Sequence, residues 1–386
     1  PFLWVFFFAG VLISLFRLRR PTHLFLLMWL GLMSIPALLS QQGPIAKRAI
    51  GTLPAVAMLV ATGTLVLHET LRRWAEEKDT LPSNAAVVAL RIALVGGFVG
   101  SAAVTYQDYF LVWARDPDMF IHFEVGPTAV GKYVGALPED DSVYVSPLSA
   151  DHPSIVYNAH NRSRVKSYDG RACIVAPEVA DRTLHYVVVI GEDAYSLGSL
   201  RELFPEGQIV AEGPRHYGEP YFVDFEVVAG SHAMAAPLQP VQATFGDAIR
   251  LLGFDLPDIS YGQGEEIELT LYLQAVGPAD EDFTVFVHLV GPYNPATQSP
   301  LWGQSDSEPC LRAYPTSAWT IGEIIKDRAR IRIPPDAPPG SYQLVSGFYL
   351  LETLARLPAS DPQGRPFPGD AVPLGTLTVR GANDEP

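Results

Sequence analysis

The sequence predicts a multi-domain protein in which a transmembrane α-helical bundle precedes a small α/β domain and a C-terminal antiparallel β-sandwich. Three observations lead to this fold class. Long apolar runs fill the first 105 residues, short β-rich runs then alternate with helical segments, and the last third shows period-two alternation interrupted by Gly/Pro turns.

Charge changes sharply near residue 105. Up to that point the sequence has nine Lys/Arg and four Asp/Glu, a balance of +5, and since the whole chain carries −15, the remainder carries −20. A basic, apolar front followed by an acidic rear is typical of a membrane part joined to water-exposed domains. The acidity of the rear argues against a nucleic-acid partner.

Residues 1–105 are predicted to form four transmembrane helices, the first of them truncated. Four apolar runs, at 2–16, 22–40, 49–67 and 85–104, contain no acid and approach the roughly 20 residues that a bilayer requires. Because the chain opens on Pro1 inside the first run, without a basic leader, the sequence is interpreted as a fragment rather than as starting with a signal peptide.

Cations in the connecting loops predict the orientation of these spans. Six lie in the first and third loops and two in the second: Arg17, Arg19, Arg20, Arg72, Arg73 and Lys78 against Lys47 and Arg48. Positive loops face the cytoplasm, so the second loop and everything after residue 105 are predicted to be extracytoplasmic, with the spans in the plasma (inner) membrane.

Four further segments are predicted after the spans. Residues 106–137 form an interfacial connector, residues 138–230 an extracytoplasmic α/β domain, residues 231–242 a linker and residues 243–381 the β-sandwich. The sandwich rests on period-two runs at 243–256, 265–276, 282–291, 324–333, 341–351 and 374–380. The two cysteines, Cys173 and Cys310, fall in different predicted domains and are expected to be unpaired thiols.

Metal and cofactor sites are not predicted. Asp151, His152, His160 and Asp169 cluster in sequence, but their spacing matches no compact zinc pattern. No glycine-rich phosphate loop or nucleophile motif occurs either, so no cofactor is identified and a requirement for a divalent metal is left open.

The candidate binding residues are Lys47 and Arg48. They precede an apolar span at its predicted outer end, where a lipid-linked phosphate would place its charge. Arginine offers a planar fork to phosphate oxygens and lysine a mobile charge, so the pair could hold a phosphodiester. Ordinary anchoring of a span end at the interface is the alternative.

Two stretches carry a resemblance to a known family. "GPIAKRAIGTLPAVAMLVATG" (43–63) and "TYQDYFLVWARDP" (105–117) resemble the last part of bacterial membrane glycosyltransferases of family 39, the protein-mannosyltransferase and aminoarabinose-transferase type. "DDSVYVSPLSADHPSIVYN" (140–158) and "PPDAPPGSYQLVSGFYL" (334–350) look like extracytoplasmic domains of longer members.

The resemblance implies a partial GT-C fold and a transferase that takes a sugar from a polyprenyl-phosphate donor on the extracytoplasmic face. It also implies that Lys47 and Arg48 contact the donor phosphate and that membrane lipid is a partner. In that family the catalytic acidic residue lies in an outer loop near the N-terminus. The predicted outer loop here, residues 41–48, contains no Asp or Glu. No catalytic residue is therefore assigned, and the fragment alone is expected to be inactive. The sugar and the acceptor, whether glycan, lipid or protein, are left open.

A second function class stays open: a membrane-anchored extracytoplasmic glycan- or protein-binding module without catalysis. Trp302, Tyr314 and Trp319 could bind glycan if exposed, with packing in the buried core or in a turn as the alternative for each. A transporter is disfavoured because, apart from Arg91, the predicted spans carry no Asp, Glu, Lys or Arg of the kind that coupled transport requires.

Overall fold

The computed structural model describes residues 3–39, 46–77, 83–159 and 162–381. Its contacts divide the chain into two compact units, Pro1–Asp116 and Pro117–Pro386. N-terminal helices make up the first unit, and a β-rich region with several sheets makes up most of the second. In this coarse form the predicted order of the fold is confirmed.

The first unit contains four α-helices: α1 (Leu3–Phe16), α2 (Pro21–Leu38), α3 (Leu53–Glu77) and α4 (Ser83–Tyr106). A 3₁₀ helix, Ala46–Thr52, leads into α3, while a π-helical turn and a 3₁₀ turn, Gln107–Val112 and Trp113–Arg115, follow α4. Within the described residues, two helical stretches are long and apolar enough to cross a membrane, Pro21–Leu38 and Ala49–Trp74, and α1 is a shorter apolar helix.

Close packing of α1 on α3 depends on glycine. A Cβ atom at Gly10 would overlap the backbone of Leu59, and one at Gly63 would overlap the backbone of Phe6. Small residues at such positions let two helix backbones approach closely, which is how helices associate where surrounding lipid is as apolar as their side chains.

The second unit begins with short helices and then becomes mainly β. Its α-helices are α5 (Asp118–His122), α6 (Val125–Ala136), α7 (Pro153–Asn158) and α8 (Ser196–Leu203). Its strands are β1 (Ser142–Ser146), β2 (Val165–Ser167), β3 (Cys173–Pro177), β4 (Leu184–Val189), β5 (Gln208–Glu212), β6 (Arg215–His216), β7 (Glu219–Pro220), β8 (Phe222–Val227), β9 (Gln239–Phe245), β10 (Ile249–Asp255), β11 (Ser260–Gly262), β12 (Glu266–Ala275), β13 (Phe283–Asn294), β14 (Ser299–Ser307), β15 (Glu323–Arg332), β16 (Gly340–Leu350), β17 (Ala359–Ser360) and β18 (Val372–Arg380).

The first sheet has the order β2-β1-β4-β8-β5. β2, β1 and β4 run parallel, and β8 is antiparallel to both of its neighbours. Alternate residues of β1 enter different cores: Val143 and Val145 pack under α6 and α7, whereas Tyr144 faces the side that α8 covers. The chain after β1 leads to α7 on the first of these faces, and the chain after β4 leads to α8 on the other.

Two further sheets share one hydrophobic core. The second sheet has the order β17-β9-β10-β12-β15-β3 and the third the order β11-β18-β16-β13-β14. Sequence alternation explains the inward faces: in β12, Ile267 and Leu269 are buried while Glu266 and Glu268 are exposed. A small hairpin, β6–β7, stands apart from the three sheets.

The expectation of two unpaired cysteines is wrong. Cys173 and Cys310 form a disulfide across 137 residues of sequence. The cause is the placement of β3. Although β3 lies between β2 and β4 in the sequence, it is not part of their sheet. It pairs antiparallel with β15 of the second sheet, with Val175 opposite Ile325. This brings Cys173 beside the loop after β14, and the range predicted as an α/β domain thus contributes an edge strand to the second sheet.

Candidate functional site

The segment that carries the predicted binding pair is helical. Lys47 and Arg48 lie in the 3₁₀ helix Ala46–Thr52, which runs directly into α3. The side chains of both residues lie outside the described part of the chain, as do residues 40–45 of the predicted outer loop. The predicted role of the pair in binding phosphate therefore stays a prediction.

Backbone contacts fix the C-terminal half of this segment on α2. The indole N–H of Trp29 donates a 3.0 Å hydrogen bond to the carbonyl of Gly51, and the Thr52 hydroxyl donates to the carbonyl of Ala49 at 2.7 Å. A Cβ atom at Gly51 would meet the Met33 sulfur at 3.1 Å, so a side chain there would loosen the contact. The path of the chain into α3 is thus set by packing and hydrogen bonding.

An apolar groove begins where that segment ends. Its volume is about 630 Å³, and its lining comes from α1, α3 and α4: Leu3, Leu53, Val56, Ala57, Val60, Ala61, Thr64, Leu65 and Phe98. From Leu53 to Leu65 it follows α3 for about 18 Å, at 1.5 Å per residue. Among the residues that the structure describes, no ionisable side chain lines it, so this lining suits a hydrocarbon chain.

Within the second unit, a polar centre joins the first sheet to the second at Glu323. This carboxylate, 2% exposed, accepts hydrogen bonds from the hydroxyls of Tyr144 (3.0 Å) and Tyr314 (2.7 Å). It also accepts from the Lys166 ammonium at 2.5 Å and the Thr320 backbone N–H at 2.8 Å. Burial and the Glu323 charge raise the pKa of both tyrosines, and with every lone pair engaged the centre serves the fold.

A second polar centre lies at the carboxyl ends of the parallel strands. Ser146 and Ser196 each donate a 2.5 Å hydrogen bond to Oδ2 of Asp193, whose Oδ1 accepts the backbone N–H groups of Tyr195 and Ser196. Asp193 is 1% exposed, and both of its oxygens are satisfied. The serines face a carboxylate and no histidine, so this arrangement holds the loop after β4 and does not activate a nucleophile.

The third centre is a histidine held between two acids on the side of the first sheet that α6 covers. His185 lies 2.7 Å by Nδ1 from Asp224 and 3.3 Å by Nε2 from Asp141, and the Tyr133 hydroxyl donates to Asp224 at 2.7 Å. Burial alone would lower the pKa of His185, but hydrogen bonding to Asp224 and the charges of both acids outweigh it and raise the pKa. When the ring is protonated, it donates from both nitrogens.

Asp224 retains one unsatisfied oxygen. The residue is fully buried, and among the described residues its Oδ1 has no hydrogen-bond partner. In the sequence, "YFVDFEVV" is the signal for this centre: an acid interrupts an apolar strand, so one face of the strand buries a carboxyl group. The partner could not be read from the sequence because His185 is 39 residues away.

The aromatic residues considered for glycan binding do not form an exposed surface. Trp302 is 7% and Tyr314 3% exposed, so burial in the core, the alternative considered above, is confirmed for both. The Trp302 indole donates to the carbonyl of Pro292 at 2.7 Å, and Trp319, which is partly buried, donates to the carbonyl of Tyr314 at 3.1 Å. These rings are fixed within the fold.

Residues considered as metal ligands have other roles where the structure describes them. His152 accepts the backbone N–H of Ser154 at the start of α7, and Asp169 pairs with Arg171 at 2.8 Å. His160 lies outside the described residues. In the described part of the chain, no group of three or more His, Cys, Asp or Glu side chains is arranged to hold a metal ion.

Comparison with known proteins adds no family. No protein-family profile matches the chain, and no curated protein matches it. The C-terminal domain of Wzt is similar at 12% identity with a TM-score of 0.23, covering 38% of this chain and 82% of that domain. A CARDB domain from Pyrococcus furiosus, solved with di-metal ions, is similar at 11% identity and a TM-score of 0.21, over 35% of this chain and 97% of that one.

A third similar structure is a putative membrane anchored protein from Corynebacterium diphtheriae. It is 11% identical with a TM-score of 0.16, over 56% of this chain and 63% of that one. Similarities this weak carry no argument about fold or function. The class that the chain's own structure defines is therefore coarse: N-terminal helices with two candidate membrane spans, followed by a β-rich region of several sheets.

Proposed function

We propose that this chain is the C-terminal part of an integral-membrane glycosyltransferase, which transfers a sugar from a polyprenyl-phosphate donor to an acceptor on the extracytoplasmic face. The observation that carries the proposal is the apolar groove along α3, which begins at Leu53, five residues after Arg48. A groove for hydrocarbon next to a pair of cations suits a lipid phosphate, whose chain and charge require different surroundings.

The finer fold is part of the same proposal. α1 to α4 are the four spans of a partial GT-C bundle, and the second and third sheets are the two layers of an antiparallel β-sandwich. The shared core of those sheets and the correspondence of all four apolar runs with helices support this arrangement.

The disulfide supports the extracytoplasmic position of the second unit. Disulfides persist in oxidising compartments and are rare in the cytosol. Cys173–Cys310 lies in that unit, and the loop cations favour the same side of the membrane for it. Two independent observations, one from charge and one from covalent structure, thus favour the same orientation.

In the proposed reaction the polyprenyl phosphate leaves as the acceptor hydroxyl attacks the anomeric carbon of the sugar. Lys47 and Arg48 would stabilise the negative charge that develops on the departing phosphate. The acid that activates the acceptor in the resembling family has no counterpart among the residues of the predicted outer loop, so no residue of this chain is assigned to that step.

Kinetics of the complete reading frame in membranes test the proposal. With a panel of polyprenyl-phosphate sugars as donors, Lys47→Ala combined with Arg48→Ala is expected to raise the donor KM and lower kcat. The matched control is Arg19→Ala with Arg20→Ala, two cations in a loop predicted to be cytoplasmic, which should leave both constants unchanged. Kinetics that are unaffected by the first pair would contradict the assigned role.

The binding module without catalysis is kept as a second candidate because the second sheet carries a polar cavity. It has a volume of about 450 Å³, and Gln242, Thr244, Arg250 and Ser360 are among its lining residues. Hydroxyl, amide and guanidinium groups can hydrogen-bond a glycan. A glycan array probed with the full chain tests this. Arg250→Ala should abolish glycan capture, whereas the control Arg312→Ala, at an exposed arginine, should retain it. Equal capture by both variants would exclude the cavity as the binding site.

A further inference from the structure

Exposed apolar side chains cluster where the second unit begins. α5 and the residues just after it leave Ile121, Phe123 and Val125 exposed by 64, 60 and 41%, and the tip of the β6–β7 hairpin leaves Tyr217 exposed by 72%. These four residues are named the exit face. Single exposed apolar residues are ordinary, but a group of them on adjoining elements indicates a surface that contacts something.

The hairpin and α5 form one structural piece. The His216 ring stacks on Phe120 with ring centroids 4.5 Å apart, and its Nε2 hydrogen-bonds the carbonyl of Pro117 at 3.2 Å. The Tyr217 hydroxyl donates to Oδ1 of Asp118 at 3.0 Å. The exposed ring of Tyr217 is therefore held next to α5.

The turn at the hairpin tip is unusual for its sequence. Tyr217 has φ 51° and Gly218 has φ 91°, so both central residues of the two-residue turn are in the positive-φ region, as in a type I′ turn. Asn-Gly is the favoured pair there, and a tyrosine is disfavoured. The Tyr217 ring centroid lies 4.3 Å from that of His216 and its hydroxyl bonds Asp118, so the turn fixes the position of a ring that is still 72% exposed.

The covalent connection indicates what covers the exit face. α5 begins twelve residues after α4 ends. The end of α4 exposes Tyr106, and the segment between the two helices exposes Tyr109, Phe110 and Trp113. Tyrosine and tryptophan are enriched where chains cross the membrane–water boundary. Two acids near the face have partners: Asp118 accepts from Tyr217, and Glu124 lies 3.3 Å from His152. These pairings lower the cost of bringing the two carboxylates close to lipid.

We propose that the exit face is seated in the headgroup region of a lipid bilayer. This inference depends on the membrane anchoring in the proposed function. Interfacial apolar groups enter about 5–10 Å into the boundary between headgroups and acyl chains. A lipid surface accepts such a mixture of aromatic and aliphatic side chains without a shaped pocket.

Spin-label accessibility in the full chain tests the proposal. Both native cysteines are buried in the disulfide, so a single introduced cysteine can be labelled selectively. Nitroxides at Ile121→Cys and Phe123→Cys in lipid nanodiscs are compared with two exposed controls: Leu354→Cys, in the loop after β16, and Val99→Cys, within α4. The readout is the collision rate with oxygen, which partitions into lipid, relative to that with a water-soluble nickel chelate.

The expected result is an oxygen-to-nickel ratio at positions 121 and 123 well above that at 354 and approaching that at 99. Ratios at 121 and 123 equal to that at 354, with a lipid-like ratio at 99, would overturn the inference and leave the anchoring intact. A water-like ratio at 99 would overturn the anchoring and the inference together.

Discussion

Buried acids in the second unit differ in how completely their oxygens are satisfied. Asp193 and Glu323 each accept four hydrogen bonds, whereas Asp224 has one oxygen without a partner among the described residues. A buried carboxylate that lacks hydrogen bonds relies on nearby positive charge. His185 provides that charge, and the stability of this region should therefore depend on the protonation of a single imidazole.

The first prediction concerns His185. Because its pKa in the folded state is raised above 6.5, its stabilising contribution is fully present below pH 6.5 and is lost as the pH rises through the folded pKa. His185→Gln leaves Asp224 buried without its cation and is expected to cost about 3–5 kcal/mol at pH 6. Urea unfolding at pH 6 and pH 9 measures the cost, which should shrink at the higher pH.

His288→Gln is the matched control for this measurement. His288 also lies near an acid, 3.0 Å from Asp306, but both side chains are more exposed than those of the buried pair. Its loss should cost less than about 1 kcal/mol at either pH. Equal losses for the two variants would show that His185 has no special role in neutralising Asp224.

The second prediction concerns Asp327, next to the disulfide. Burial raises its pKa to about 7, although the backbone N–H of Cys310 donates to its Oδ1 at 2.7 Å. The folded state thus holds a proton that the unfolded chain has released, so stability falls as the pH rises from about 4 to about 7. The pKa difference limits this loss to roughly 4 kcal/mol.

Asp327→Asn should remove that pH dependence. Asparagine keeps an oxygen to accept the Cys310 N–H but never ionises, so the variant is expected to be more stable than wild type by about 2–4 kcal/mol at pH 8 and equal to it at pH 4. Exposed Asp336→Asn is the control and should change little at either pH. Thermal unfolding at both pH values compares the three proteins, and a variant no more stable at pH 8 would contradict the assigned burial cost.

At the scale of elements, regular alternation was the reliable signal. The runs at 265–276 and 324–333 correspond to β12 and β15 because charged and apolar residues alternate with a period of two. The run at 243–256 is two strands, since Gly246 with φ 53° lies in the turn between β9 and β10. The sequence does not predict β14, because "SPLWGQSDS" has too few apolar residues to show a period of two.

The position of β3 could not be predicted from local pattern. "CIVAP" is apolar at nearly every position, as expected of any fully buried strand, and contains nothing that selects its sheet. Its pairing with β15 depends on residues about 150 positions later in the chain, and so does the disulfide. For the candidate site, the sequence predicts the cation pair. It does not predict the apolar groove, because the lining of the groove comes from three helices whose packing no local pattern specifies.

The third prediction follows from this pairing. A disulfide that closes a loop of this length restricts the unfolded chain, so Cys173→Ala with Cys310→Ala is expected to cost about 2–5 kcal/mol. Urea unfolding with and without dithiothreitol measures it. Reductant should destabilise the wild type by a similar amount and leave the double variant unchanged; a wild type insensitive to reductant in unfolding would contradict the prediction.

At the scale of the whole molecule, the second unit is linked internally in three ways that cross the predicted linker at 231–242. β3 inserts into the second sheet, the Glu323 centre connects that sheet to β1 and β2, and a single buried cluster runs from α8 to β18. Linkers between independent domains are crossed by few contacts. The second unit should therefore unfold as one cooperative body.

The last prediction tests this cooperativity by cutting the linker. Met234 and Leu238 are exposed by 62 and 71%, so a protease site introduced between them is accessible. After cleavage, the two parts should stay associated on gel filtration even under reducing conditions, because β3 still pairs with β15 and the shared core still excludes water. Calorimetry of the uncut chain should show one transition for the second unit. Separation of the two parts after cleavage would show that β3 and the shared core do not couple the sheets. Two calorimetric transitions, one shifted by Asp327→Asn and the other by His185→Gln, would show the same.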